Sequence, residues 1–417
     1  MVRRCTVLLV LAPLAVPCTA GASVGTHIAS IVARSPFGGS GTGIAVYDTT
    51  SDRALYRLHS RTELKPASNM KLTTAAVVLA DLGAGGRLRT RVYATGTVTG
   101  GTLTGSLWLV GGGDPSLSTG SFRRHAFGGA GSSVRDLATA VRHAGIRRVS
   151  GRVFADETLF DTRRTGPYWK PSYWQDCPPI SALSVNEDLV SYFRPYSYHG
   201  PAVRAAEVLR TSLKAHGVRV DHDPRTGKLP AGATLVATER SPLVGRLVKI
   251  MDRRSDNYFA EVLNKRVAVE AGMSGTMAQG RREARRYLKS IGVGLRGARL
   301  YDGSGLSPAD RLSARQILRL LRRVGGQPYA DVFRASLPVA GVNGTLSDRM
   351  ESGPAHANAQ AKTGTLDDAS NLSGYVRAAN GHRLVFSILV NGPKLDITAA
   401  HRLQDRIVQA LAGSRPR

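Results

Sequence analysis

The chain has 417 residues, 42% of them hydrophobic, with 57 Lys and Arg against 30 Asp and Glu. That length suits two or three packed units rather than one ordinary core, and the absence of any long Pro/Gly/Ser tract or charge block excludes a disordered chain. No self-similar period recurs, which excludes solenoids and propellers.

At the N-terminus, Arg3 and Arg4 precede an apolar run at 7–16, and Ala20-Gly21-Ala22 follows as an A-x-A cleavage site. This is the layout of a secretory signal peptide over residues 1–22. The run is far short of the roughly 20 residues a spanning helix needs, and no later stretch is long enough. A secreted, extracytoplasmic protein without a transmembrane segment is expected. Cys18 raises the alternative of a lipid anchor, but Pro17 stands where lipoprotein signals take a small flexible residue. With Cys5 and Cys18 lost in the leader, Cys177 has no partner for a disulfide or a thiolate metal cage, so a buried, inert thiol is expected. The net charge of +27 becomes +25 without Arg3 and Arg4, a balance that favours polyanions. Export, and basic residues scattered without interleaved aromatics, speak against nucleic acid. Anionic wall polymers, anionic lipid or a merely solvated Arg-rich surface remain.

In chain order, residues 43–48 and 54–59 read as a hairpin around a Thr-Thr-Ser-Asp turn. Residues 68–82, rich in Ala, Leu and Val, read as a buried helix. Strand-like segments at 91–98 and 106–110 follow, then the loop Gly111-Gly112-Gly113-Asp114-Pro115, a helix at 133–144 and a strand at 149–154. The aromatic, proline-rich stretch 168–179 predicts a rigid loop. Helices are expected at 202–216, 242–265 and 276–291, strands at 358–365, 372–379 and 383–391, and a closing helix at 397–412. In that last helix Ile397, Ala400, Leu403, Ile407 and Leu411 share one face, expected to pack on the sheet. Helix-and-sheet material at both ends predicts one α/β domain, 23–87 with 201–417, split by a β-rich insertion at 88–200.

Three motifs carry chemistry: Ser68-Asn69-Met70-Lys71, Ser255-Asp256-Asn257 and Lys362-Thr363-Gly364. They match the S-x-x-K, S-D-N and K-T-G signature of penicillin-binding proteins and class A β-lactamases. Each occurs once, in the order that mechanism uses. Ser68 and Lys71, three apart at a helix start, project from one face, so the amine reaches the hydroxyl. A serine is a poor nucleophile until a neighbour takes its proton, and the helix start adds free N–H groups near a developing oxyanion. Ser255 and Asn257 flank a bend, with Asp256 turned away to hold it. Lys362, Thr363 and Thr365 lie on a strand, where Gly364 lets a peptide backbone approach as an added strand. Rival signatures fail: the one G-x-S-x-G, at 21–25, straddles the leader junction, and no H-E-x-x-H occurs. No metal or cofactor is expected.

Beyond these motifs, the blocks PASNMKLTTA (66–75), LVGGGDPSL (109–117), YDGSGLS (301–307), LPVAGVNGTL (337–346) and AKTGTL (361–366) resemble the class C low-molecular-mass penicillin-binding proteins, the D-alanyl-D-alanine carboxypeptidase/endopeptidase family. The likeness runs from about 40 to 395. It implies a penicillin-recognising serine transpeptidase-like domain, an antiparallel sheet flanked by helices and split by an inserted domain. It implies Ser68 as nucleophile, Lys71 as its base and Ser255 as proton shuttle to the leaving amine. Asn257, Lys362, Thr363 and Thr365 would contact substrate, and the backbone N–H groups of Ser68 and Thr365 would form the oxyanion hole. Peptidoglycan stem peptides are the implied substrates and β-lactams the implied covalent inhibitors. Two features depart from the family. Ser255 follows Ser68 by only 187 residues, which points to a trimmed insertion. Pro308 stands where relatives often carry a basic residue, with Arg311 the nearby replacement.

Two other readings stay in view. A β-lactamase shares the motifs but needs a group to hydrolyse the acyl-enzyme. The closest imitation of its glutamate, Glu261, sits too soon after Asn257. A non-catalytic wall-binding or β-lactam-sensing module would not need the complete motif set.

Overall fold

The computed structural model describes residues 23–191, 194–195 and 200–416; the expected signal peptide lies outside them. Helix α1 (Val24–Ala33) has no counterpart among the expected elements; it starts at Ser23, whose hydroxyl accepts the Thr26 amide. The expected hairpin is present as the antiparallel strands Thr42–Asp48 and Arg53–Leu58. The first is buried at almost every position because it is interior in a five-stranded sheet. Across that sheet the order is Gln360–Leu366, Ala369–Arg377, Arg383–Asn391, Thr42–Asp48, Arg53–Leu58, antiparallel throughout. Strands from both ends of the chain thus make one sheet, as a split domain requires. Helix α2 (Lys71–Asp81) runs through the core below it, buried at every position from 71 to 79, which is why its sequence shows no polar face.

A second, mixed sheet intervenes. Its long strands Arg89–Thr99 and Thr102–Val110 pair antiparallel, Val153–Asp156 joins in parallel, and Thr234–Arg240 closes the other side. Helix α3 (Gly120–Phe127) lies toward the first core, whereas α4 (Val134–His143) and α5 (Pro201–Ala215) cover the second sheet. Two expectations need correction. The inserted unit runs on to Arg240 rather than ending at 200, and it is α/β rather than β-rich. The apolar face of α5 (Ala202, Ala205, Leu209, Leu213) is legible, but it packs with Leu137 and Val141 of α4, a choice of sheet that periodicity does not encode. The strand Thr234–Arg240 buries only Ala237, so it shows no alternation. Residues 158–182, by contrast, return to the first core through Phe160, Tyr173, Cys177 and Ile180. Burial raises the Cys177 thiol well above its usual value, as an inert thiol requires.

The helix expected at 242–265 is two, α6 (Val244–Arg254) and α7 (Asn257–Glu270), parted at Ser255. After α8 (Met277–Ser290) come α9 (Ala314–Val324) and α10 (Ala330–Ser336), neither expected, and finally α11 (Ile397–Gly413). Helix α11 buries Ala400, Leu403, Ile407 and Leu411 with α1 on one face of the first sheet, and α2 and α9 lie on the other. Among the described residues no helix is long and apolar enough to cross a membrane.

Candidate active site

Ser68 lies in a tight turn, Ala67–Met70, that feeds α2. The turn is held by close approach rather than by ordinary caps. Gly305, at φ +85, would place a Cβ only 1.9 Å from the Ala67 carbonyl. Gly364 would place one 2.9 Å from the Pro66 carbonyl and 3.1 Å from the Asn69 amide. The glycine of the third motif therefore lets its strand lie on the Ser68 turn, a different occupant from the substrate backbone expected there. Asn69 Nδ2 donates to the Lys362 carbonyl at 3.1 Å and Asn371 Nδ2 to that of Pro66 at 2.8 Å, which ties turn and sheet together. A Gly364→Ala protein is expected to acylate with penicillin about 10- to 100-fold more slowly through displacement of the strand. Stopped-flow acylation beside a thermal melt checks this; wild-type acylation would mean that the two segments part freely.

Lys71 is completely buried. Its Nζ donates to Ser68 Oγ at 2.9 Å, Asn257 Oδ1 at 2.6 Å and the Ser304 carbonyl at 3.0 Å. Three acceptors take the three protons of an ammonium; the neutral amine would accept from Ser68 instead. Burial lowers its pKa to about 8, against the opposing pull of Asp302, Asp256, Glu261 and Asp252. Lys362, equally buried, donates to Ser255 Oγ at 2.9 Å and to the Thr363 carbonyl at 3.0 Å. Burial, then the charge of Lys71, brings it down to about 7. Each lysine thus holds one side of the Ser255–Asn257 turn. Ser255 takes the left-handed conformation, φ +56, that breaks α6 from α7. Asp256 turns away as expected and caps α7, accepting the Phe259 amide at 3.0 Å. Thr363 Oγ1 meets Thr345 Oγ1 at 2.7 Å, and Thr365 is exposed.

Several contributors lie outside the three motifs. The loop 301–307 presents the Ser304 carbonyl to Lys71. It is pinned by Asp302, which accepts the Gly305 and Ser307 amides at 2.7 Å each, and by Glu261, which accepts those of Gly303 and Ser304 at 2.9 and 2.7 Å. Glu261 is therefore a loop anchor; burial and Asp302 raise it to about 7. Asp252, buried and accepting Ser336 Oγ at 2.6 Å, sets a carboxyl near both lysines. Arg311 ties one guanidinium nitrogen to the carbonyls of Pro308 and Asp310, both at 2.7 Å, which anchors it to its own loop. The stretch 168–178 straps the cleft. Trp169 donates to Asp302 at 2.8 Å, Lys170 pairs with Asp367 at 2.5 Å, and the Asp176 carbonyl accepts Asn257 Nδ2 at 2.9 Å. A pocket of about 530 Å³ opens there, lined by Trp174, Asp176, Ser255 and Asn257 among others.

A buried amine aimed at a serine from one turn below, with the S-D-N turn slung between it and the lysine of the third motif, belongs to the penicillin-recognising serine enzymes. The sequence profile of the D-Ala-D-Ala carboxypeptidase 3 (S13) family matches residues 24–193 and 195–413, and the chain belongs to that family. A D-alanyl-D-alanine carboxypeptidase of Actinomadura sp. (strain R39) is 30% identical over 456 aligned residues, covering 90% of this chain and 81% of that protein. A carboxypeptidase of Mycobacterium tuberculosis is also 30% identical, over 392 residues with the same coverage. The crystal structure of penicillin binding protein 4 from Haemophilus influenzae has the same fold, with a TM-score of 0.77 at 20% identity over 92% of this chain and 99% of that one. The chain is a serine D-Ala-D-Ala carboxypeptidase of the low-molecular-mass penicillin-binding kind.

Proposed function

We propose that the enzyme cleaves terminal D-Ala-D-Ala or D-Ala cross-link bonds of peptidoglycan stem peptides through an acyl-enzyme on Ser68. The observation that carries this is the 2.9 Å contact between Ser68 Oγ and a fully buried Lys71. Neutral Lys71 takes the Ser68 proton as the oxygen attacks the penultimate D-Ala carbonyl. The oxyanion is held by the N–H groups of Ser68 and Thr365, one at the start of α2 and one on the strand edge. The proton returns to the leaving amine through Ser255, which Lys362 orients at 2.9 Å. Asn257 has its Oδ1 on Lys71 and one amide proton on Asp176, which leaves one proton for the substrate amide. Lys362, Thr363 and Thr365 receive the terminal carboxylate. Water then hydrolyses the ester and restores Ser68.

The two lysines form one titrating pair. A substrate carboxylate beside Lys362 draws the pair's proton there and leaves Lys71 neutral, so substrate binding itself arms the base. β-Lactams carry the same carboxylate next to a strained amide, and acylate Ser68 as covalent inhibitors. Glu261, fully buried with one oxygen on the loop amides, sits too soon after Asn257 to match the glutamate that activates a deacylating water in a β-lactamase. Export past the leader and the charge of +25 support a place at the wall, where the basic surface meets anionic wall polymers. Labelled penicillin tests the reading: a burst of one label per chain followed by slow release is expected, together with D-Ala or uncross-linked fragments from purified wall. Rapid release would favour a β-lactamase, and no label would overturn the serine chemistry.

A further inference from the structure

Asn186, Glu187 and Asp188 have φ of +58, +57 and +59°, one turn of left-handed helix built from residues that carry Cβ atoms. L-residues disfavour this conformation, and three in succession persist only where the surroundings over-determine them. Here both units of the chain do so. On the inserted side, the Leu117 carbonyl accepts the Asn186 amide at 2.9 Å, and Asn186 Oδ1 accepts the amide and hydroxyl of Thr119 at 2.9 and 3.3 Å. On the catalytic side, Glu187, a 5% exposed residue, shares the Arg254 guanidinium with Asp256. The Arg254 guanidinium lies 3.8 Å from Glu187 Oε1 and 3.4 Å from Asp256 Oδ2. Glu187, Ser255, Asp256 and Asn257 line one pocket.

Two carboxyl groups facing one guanidinium leave one negative charge uncompensated, which favours the neutral form of the more buried one. Burial, then the charge of Asp256, raises the Glu187 carboxyl well above its usual range, against the pull of Arg254. The other ionisable neighbours are Cys177 and Tyr258, both kept neutral by burial. Burial raises Asp188, the next residue, to about 7, against the pull of Arg204 and Arg164 and with Glu157 adding to the rise. Asp256 is the cap whose position sets the turn between α6 and α7, with one oxygen on the Phe259 amide. Its other oxygen faces Arg254.

We propose that Glu187 is a positioning residue for the reaction: set with Asp256 against the Arg254 guanidinium, it fixes the Ser255–Asn257 turn, and the left-handed turn exists to deliver it there. The proposal rests on the roles given above to Ser255 and Asn257. Ionising Glu187 would set two carboxylates against one guanidinium and loosen the turn, so activity falls as pH rises through its titration.

The test is the pH dependence of penicillin acylation, with thermal melts, for Glu187→Gln and Glu187→Ala. Glutamine keeps a neutral polar side chain beside Asp256. That variant is expected to acylate like wild type at neutral pH and to show a shallower alkaline limb, with one titration fewer. Glu187→Ala is expected to be slowed about 10- to 100-fold by loss of alignment. A folded Glu187→Gln as slow as Glu187→Ala would overturn the proposal, as would Glu187→Ala at wild-type speed. Should Glu187→Ala fail to fold, the glutamine profile decides, and an alkaline limb identical to wild type rejects the idea. Ser255→Ala, run in parallel, separates the premise. Full activity there removes the catalytic role of the turn, whereas an impaired Ser255→Ala beside an unaffected Glu187→Ala rejects Glu187 alone.

Discussion

A Ser68→Ala protein is expected to fold normally and to take up no covalently bound penicillin. Ser68 is half-buried, and among the described residues its hydroxyl takes one hydrogen bond, from Lys71. Lys71 keeps Asn257 and Ser304 as acceptors when it is gone, so the stability change is limited to about 0.5–1.5 kcal/mol for a single hydrogen bond. The catalytic change is of another order: removing the nucleophile of a concerted serine site lowers kcat by on the order of 10⁴–10⁶. Intact-mass measurement after exposure to penicillin, beside a thermal melt, reads both quantities. An adduct on Ser68→Ala would assign the nucleophile elsewhere in the cleft.

The second large effect concerns Lys71. At a pKa of about 8, roughly one molecule in ten has the neutral amine at pH 7, against about one in 2,500 for an unperturbed lysine. Lys71→Arg keeps the charge and cannot deprotonate, so acylation is expected to fall by about 10²–10⁴ at every accessible pH, the share of a general base. Lys362→Gln makes a finer distinction. In the wild type burial, and after it the repulsion between two ammonium groups, brings the pair's first proton off near 7. With Lys362 replaced by an uncharged residue, Lys71 titrates without that repulsion and holds its proton more firmly. The acidic limb of the acylation rate over the substrate constant is therefore expected to move to higher pH, alongside weaker binding of the carboxylate. An active Lys71→Arg enzyme would mean that another group takes the proton from Ser68.

The parts of this site written in side chains were legible in the sequence, and the parts written in backbone were not. Ser68, Lys71, Ser255, Asn257 and Lys362 lie in contact with one another, and each is marked in the sequence by its own side-chain type. Ser304 contributes a carbonyl that any residue type would supply, so nothing marks its position within the YDGSGLS block. Asp252 sits in a helix with Asp-Arg-Arg around it and reads as a solvated face, although it is fully buried. Glu187 is hidden for a related reason: Asn and Asp tolerate a left-handed backbone, but glutamate gives no such hint. In the fold, α9 carries a legible start, the capping box of Ser313 and Gln316. Its arginine-rich outer face and the short loops around it masked the element. The allegiance of α5 could not be read at all, since an apolar stripe fits either sheet.

The strand Gln360–Leu366 is an edge strand, and its exposed side is closed off at both ends. Upstream, the Ala361 amide is taken by the Pro338 carbonyl and Gln360 bridges to Val339. Downstream, Asp367 is occupied by Lys170. The uncovered span is the stretch from Thr363 to Thr365. An open sheet edge invites any passing strand, and proteins generally blunt it to avoid pairing with copies of themselves. Strands in sheets usually run about five or six residues, so a three-residue gap offers a foreign sheet too little ladder to dock. It is long enough for the last two residues of a peptide. The same bracketing that would admit the tail of the proposed peptide substrate thus leaves too short an edge for the protein to add to its own kind at high concentration.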